Sequence, residues 1–363
     1  MSLSEKPEAT DARLAFYKKI DRLAYTPLWQ VFADIITPQP KSNCLPNLWK
    51  FDQARQWLLE AGDLITAQEA ERRVLILENP GMRGESKITT SLYAGLQLVK
   101  PGEVAPAHRH SQSALRFVLD GSGAHTSVDG ERTIMEFGDF VITPPWAWHD
   151  HGNHSDTPMI WLDGLDIPMA SLFDASFAEG YGVDEQPLSR QTGDSLARYG
   201  ANMLPVDYRQ HDLVSPIFNY PYARSREALE TMKQQQEWDP CHGLKMRYVN
   251  PADGGFAMPT IAAFLQLLPA GFESTPYRGT DATVFVATEG SGRTTIDGQI
   301  FEWGPRDIFV APSWKWIVHE ADVESVLFSY SDRVAQQKLG FWREQRNPDG
   351  NQGTRSTVPR PRR

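Results

Sequence analysis

The stretch that decides the reading runs from Gly102 to His151: GEVAPAHRHSQSALRFVLDGSGAHTSVDGERTIMEFGDFVITPPWAWHDH. Six of the nine histidines lie between residues 108 and 154. His108 and His110 are two apart, so on a strand they share one face while Ala107 and Arg109 take the other. Two imidazoles on one face can chelate a metal. Further along, His149 in Pro144-Pro145-Trp146-Ala147-Trp148-His149-Asp150-His151 offers a third donor, with His151 as its same-face neighbour. Between the two clusters the pattern is antiparallel β: an apolar strand Leu115 to Leu119, a turn at Asp120-Gly121-Ser122-Gly123, a strand from Ala124 to Val128, a turn at Asp129-Gly130, and a strand from Phe140 to Thr143. Short strands joined by tight turns make a small barrel, and folding this one back would bring His149 beside His108 and His110.

The pattern extends upstream. Arg72 to Leu77 reads as a strand, Asn79-Pro80-Gly81 as a turn, and Tyr93 to Val99 as a strand with Tyr93, Gly95, Gln97 and Val99 on one face. Spacing alone leaves Gln97 open between an inward hydrogen-bonding group and an outward polar residue. Downstream the barrel repeats. GEVAPAHRH at 102–110 aligns with GFESTPYRG at 271–279, Gly121-Ser122-Gly123 with Gly290-Ser291-Gly292, and the segment ending at His149 with Pro312-Ser313-Trp314-Lys315-Trp316-Ile317. Tyr277, Gly279 and Ile317 therefore stand where His108, His110 and His149 stand in the first copy. His319 is the only histidine nearby in sequence, so the second barrel is expected to be structural and metal-free.

These residues carry a family resemblance. Gly102, five residues, His108-x-His110 and Gly121 match the first cupin motif, and Gly138-Asp139, Pro144 and His149 match the second. APAHRHSQSALRFV, WLDGLDIP and RYVNP resemble the gentisate 1,2-dioxygenase group of bicupins, over roughly residues 20 to 335. The glutamate usual in cupins would fall at Ala114 or Leu115, so the site is three histidines without a carboxylate, as in that group. The resemblance implies a mainly β bicupin: an N-terminal helical arm over 1–65, a metal-bearing barrel over 66–165, a mixed linker over 166–255, a metal-free barrel over 256–335 and a partly disordered C-terminal segment over 336–363. It also implies one iron(II) per chain, cleavage of gentisate by dioxygen to maleylpyruvate, and a homotetramer.

Composition agrees with this class. At 363 residues the chain exceeds one core, and 40% hydrophobic residues supply material for two. A net charge of −10 argues against nucleic acid. Cys44 and Cys241 imply no disulfide framework, no apolar run approaches the roughly 18 residues a membrane span needs, and the N-terminus lacks a signal peptide's apolar core, so the cytoplasm is expected. Residues 8 to 36 have a helical rhythm, a second helix is expected from Phe51 to Ala61 with Gly62 as its stop, and others over 168–177 and 225–237. Trp29, Trp49 and Trp57 are too large to leave uncovered, and packing on a barrel or across an interface is expected for them.

Each candidate site residue has a plainer alternative. His108, His110 and His149 could be hydrogen-bonded core histidines, but a fixed-spacing pair plus a distant third is how open metal sites are built. Imidazoles suit zinc, copper, nickel and iron alike, so iron enters through the resemblance. Arg116, six residues from His110, falls on the same face of a regular strand. It could bind a carboxylate or pair with an internal acid such as Asp163. Of Arg72 and Arg73, one is expected at solvent and one structural, and the resemblance favours Arg72 for the substrate carboxylate. It likewise places Tyr93 and Gln97 on the substrate, and His151 and Asp163 at the active site. By geometry His151 lies too far along the strand for a fourth ligand and is placed to take a proton from a substrate hydroxyl, with Asp163 either orienting it or capping a turn. His125 and His154 read as surface residues. Rival readings are a salicylate or 1-hydroxy-2-naphthoate dioxygenase, a non-catalytic metal-binding bicupin and, more weakly, a decarboxylase of the oxalate type.

Overall fold

The strand Ala114–Asp120 shows how the molecule is built, because nearly every residue in it is buried. Leu115, Phe117 and Leu119 belong to one apolar cluster, and Val118 to another on the opposite face. A strand covered on both sides reads as a continuous apolar run, which is why its one charged residue, Arg116, stands out. In this computed structural model, residues 10–210, 213–235 and 238–347 are described. The expected disordered tail lies outside them beyond residue 347.

Residues 42 onward form one compact unit with two barrels of matching plan. In the first, a six-stranded sheet runs in the order Asn219–Tyr220, Phe140–Thr143, Ala114–Asp120, Met159–Leu165, Tyr93–Val99, Val74–Ile76. It faces a five-stranded sheet ordered Ala178–Gly180, Val104–His110, His149–Asn153, Ala124–Val128, Glu131–Ile134. The second barrel repeats both sheets, from Asn47–Trp49 beside Ile308–Ala311 to Leu244–Arg247 beside Ala262–Leu268, and from Gln299–Trp303 to Glu344–Arg346. The six-stranded sheets pack back to back. Phe117 stacks on Phe328 with ring centroids 4.0 Å apart and planes at 10°, and Tyr330 donates to the Tyr93 carbonyl at 3.1 Å. Truncating a buried phenylalanine at such a contact typically costs about 3–5 kcal/mol, so the second barrel supports the first even without chemistry of its own.

Several boundaries differ from the sequence reading. Asn47–Trp49, Leu244–Arg247 and Glu344–Arg346, assigned there to arm, linker and tail, are edge strands of the second barrel. Linker strands Ala178–Gly180 and Asn219–Tyr220 likewise close edges of the first. Edges invite cover, and remote segments supply it. The helix expected to stop at Gly62 runs Phe51–Leu64. A Cβ on Gly62 would meet Leu98 Cδ2 at 3.0 Å, so this glycine marks a close approach inside the helix. The expected linker helices are Ile167–Leu172 and Tyr222–Lys233, the latter beginning early because Pro221 sits at its N-cap.

The described residues up to 41 form a separate unit with helices Asp11–Asp21 and Leu28–Ile35. Ala24, at φ 57°, and Pro27 separate them. Neither helix buries a residue. Trp29 is 53% and Trp57 49% exposed, and Trp49 is half-buried.

Candidate active site

The antiparallel register places His108 directly opposite His149. His110 lies two residues on, and the three rings converge with centroids 4.2 to 5.4 Å apart. Their ligand-type atoms all lie within 4.8 Å of one another. The backbone selects the tautomer. Nδ1 of His108 faces the Pro106 carbonyl at 3.2 Å, Nδ1 of His110 the Gln112 carbonyl at 3.0 Å, and Nδ1 of His149 the Ala147 carbonyl at 2.9 Å. A carbonyl only accepts, so Nδ1 carries the proton in His110 and His149 and their Nε2 atoms keep their lone pairs, whereas Nδ1 of His108 also meets Arg72 Nη2, itself a donor only. Nε2 of His149 is buried and makes no hydrogen bond. Burial, with neighbouring Arg72, brings His108 down to about 3, and burial with Arg116 brings His110 down to about 4. His149 is also held well below its ordinary value by burial and by the other two rings. Three neutral imidazoles with converging lone pairs fit a divalent ion.

Arg116 is reached by a different route from the one read in sequence. Residues 111–113 break the strand after His110, so Arg116 sits on the facing sheet and points across the barrel at the histidines. There Nη2 donates to His151 Nε2 at 2.8 Å, Nη1 donates to Thr143 Oγ1 at 2.7 Å, and Nε lies 3.5 Å from Asp163 Oδ1. Asp163 is Arg116's register partner and accepts from Trp161 Nε1 at 3.0 Å. Burial pushes its carboxyl up to about 6, against the pull of Arg116. It makes no hydrogen bond to His151, so of the two roles left open for Asp163, orienting His151 runs through the Arg116 guanidinium.

Both nitrogens of His151 are engaged, Nε2 by Arg116 and Nδ1 by Thr126 Oγ1 at 2.7 Å, while Thr126 Oγ1 donates to the Asp150 carbonyl at 3.1 Å. These partners, and not rise along the strand, keep His151 out of the triad, since His108 and His110 have the same spacing and converge. Arg73 is the structural member of its pair, forked onto Glu103 at 2.8 and 2.9 Å. Arg72 donates to the Pro106 carbonyl at 2.7 Å and contacts the His108 ring. Gln97 is buried, opposite Trp161, and Tyr93 stands on the same strand face. The sequence reading missed Thr126, Thr143 and Tyr330. Trp161, two residues from Asp163, could have been found from alternation.

In the second barrel, Tyr277 pairs with Ile317 as His108 pairs with His149. Arg109 lies between Trp146 and Trp148 at 4.4 Å from each, and Arg278 between Trp314 and Trp316 at the same distances. His319 Nδ1 meets Thr294 Oγ1 at 2.9 Å, as His151 meets Thr126. His319 is not alone, because linker His242 packs on Tyr277 with centroids 4.5 Å apart. Among the described residues no group of three ligand-type side chains forms there.

Comparison with known proteins agrees with this geometry. Residues 95–165 match the cupin domain family. Gentisate 1,2 dioxygenase 1 of Aquipseudomonas alcaligenes is 67% identical over 347 residues, covering 96% of this chain and all of the relative. The chain belongs to the gentisate 1,2-dioxygenase family. Another relative, the 5-aminosalicylate 1,2-dioxygenase of a Comamonas species, is 33% identical over 91% of this chain and 89% of its own. The crystal structure of salicylate 1,2-dioxygenase from Pseudoaminobacter salicylatoxidans, in adducts with gentisate, superposes with a TM-score of 0.89 at 33% identity, covering 96% of this chain and 97% of that one. As a gentisate dioxygenase family member the chain is a ring-cleaving dioxygenase of bicupin fold. Among its described residues no helix is long and apolar enough to cross a membrane.

Proposed function

We propose that this chain is an iron(II)-dependent gentisate 1,2-dioxygenase that opens the ring of 2,5-dihydroxybenzoate with dioxygen to give maleylpyruvate. The observation that carries the reading is the convergence of three imidazoles beside buried Arg116 and half-buried Arg72, a cation site next to anion anchors. His108, His110 and His149 would hold iron(II), which when bound would supply a template for the aromatic acid and dioxygen and a path for electrons between them.

The protein's own residues do the rest. Arg72 and Arg116 offer the substrate carboxylate planar, charged donors in a site that burial keeps poor in water. Asp163 and Thr143 hold Arg116 in place. His151 presents its Nε2 lone pair beside Arg116, oriented by Thr126, where it takes the proton of a substrate hydroxyl as the guanidinium turns to the carboxylate. Gln97 and Tyr93, on one strand face, bound the ring.

The testing experiment is oxygen uptake by iron-loaded protein on gentisate, salicylate and 1-hydroxy-2-naphthoate. Fastest turnover on gentisate is expected, and preference for either other acid would move the chain to that branch of the family. Metal analysis should find one iron per chain, since Tyr277, Gly279 and Ile317 cannot replace the triad, and two tightly held irons would overturn that account. We read the protein as a cytoplasmic homotetramer; exposed Leu28, Trp29, Phe32 and Ile35 on one short helix support self-association. Sedimentation as a single chain would remove the tetramer.

A further inference from the structure

Among the described residues one other group of three ligand-type side chains comes together outside the triad: His125, His154 and Glu185. Thr126 and His151 point into the first barrel, so alternation sends His125, Ser127, Asp150 and Gly152 to its outer face. The linker covers that face. Its Gln186 N donates to Asp150 Oδ2 at 2.9 Å, its Gln186 Nε2 donates to the Ser127 carbonyl at 3.0 Å, and its Ser189 N donates to the Gly130 carbonyl at 2.9 Å. This path carries Glu185 over His125. His125, read as a surface residue from sequence, is therefore only 1% exposed, whereas His154 is exposed. Its ring lies on Gly152, where a Cβ would meet His125 Cε1 at 2.5 Å.

Four buried atoms here have no hydrogen-bond partner: Nε2 of His125, Oδ1 of Asp150, Oγ of Ser127 and Nε of Arg132. The first two are the ligand-type pair. They lie 3.8 Å apart. His125 Nε2 is 3.5 Å from Glu185 Oε1, and His154 Nε2 is 3.8 Å from the same oxygen. Around a tetrahedral ion with metal–ligand bonds of about 2.0 to 2.2 Å, neighbouring ligand atoms sit about 3.3 to 3.6 Å apart. The three pairs just given are close to that spacing, and the ligand-type atoms of His125, His154 and Glu185 all lie within 4.8 Å of one another. Burial, Arg132 and His154 hold His125 down to about 4, which leaves its imidazole neutral. Arg132 Nη2 donates to Glu185 Oε1 at 3.0 Å, the kind of outer hydrogen bond that orients a ligating carboxylate.

We propose that His125, His154 and Glu185, with Asp150 beside them, form a second divalent-cation site on the outer wall of the first barrel. Two imidazoles with carboxylates suit a zinc-class ion better than the hard, oxygen-seeking magnesium or calcium. The ion's role is structural. It ties the linker, through Glu185, to the back of the strand His149–Asn153, whose front carries His149 and His151.

The test starts from iron-loaded enzyme equilibrated with micromolar zinc, desalted and analysed for both metals, alongside His154→Ala and Glu185→Gln variants. Intact enzyme should keep its iron and gain one zinc per chain, with a higher melting temperature and slower proteolysis of the linker. Each variant should keep its iron and lose the zinc together with that protection. His154 is exposed, so its replacement leaves the fold intact. The site is overturned if intact enzyme retains no zinc, if zinc enters only as iron leaves, or if both variants retain zinc as tightly as the parent.

Discussion

His149→Ala protein should emerge from purification without iron and without measurable ring cleavage. The residue is 1% exposed and its Nε2 has no protein partner, so its lone pair has no use other than a ligand. With it gone, His108 and His110 remain as a two-imidazole chelate, and a divalent ion low in the affinity series will not stay on two neutral donors through dilution. The barrel should survive, because the strand Val104–His110 stays paired to the linker strand Ala178–Gly180. Iron content, oxygen uptake and a thermal melt together check this. A folded His149→Ala enzyme with a full complement of iron would remove the residue from the ligand set. The same experiment on His108 and His110 should give the same result.

His151→Ala should behave in the opposite way, keeping its iron and losing turnover. Both ring nitrogens are already occupied, by Arg116 and Thr126, so the ring contributes nothing to metal retention. What it contributes is an acceptor beside the position that a substrate hydroxyl would take. Removing a general base typically lowers the rate by about 10² to 10⁴. The ratio of kcat to KM separates this role from a purely positioning one. If His151 only steadies Arg116, the alanine variant should bind the aromatic acid more weakly with kcat little changed. An iron-free variant would instead show that His151 is a ligand.

Much of this site was legible in the chain because its signals are local. The i, i+2 spacing of His108 and His110, the turn at Asp129-Gly130 and the alternation of Tyr93–Val99 are all set within a few residues. Those strands appear almost where the pattern put them. The repeat was legible because two copies of one plan leave matching residues at matching intervals. Trp146 and Trp314 share a positive φ, 64° and 63°, and the Trp146 N–H donates to the His110 carbonyl while the Trp314 N–H donates to the carbonyl of Gly279, the residue aligned with His110.

Sequence by itself thus determined the class of fold, the grouping of His108, His110 and His149, and the presence of Tyr277, Gly279 and Ile317 at the matching positions of the second copy. Tertiary structure alone decided who holds whom. Asp163 pairs with Arg116 because two strands lie in register, and His125 is buried because a distant linker crosses it. Asn47–Trp49 is a strand because Ile308–Ala311 presents an open edge. The physical reason is common to all three. Strand pairing and the burial of polar groups take their free energy from partners far away in the chain, so a short segment carries no record of what will cover it.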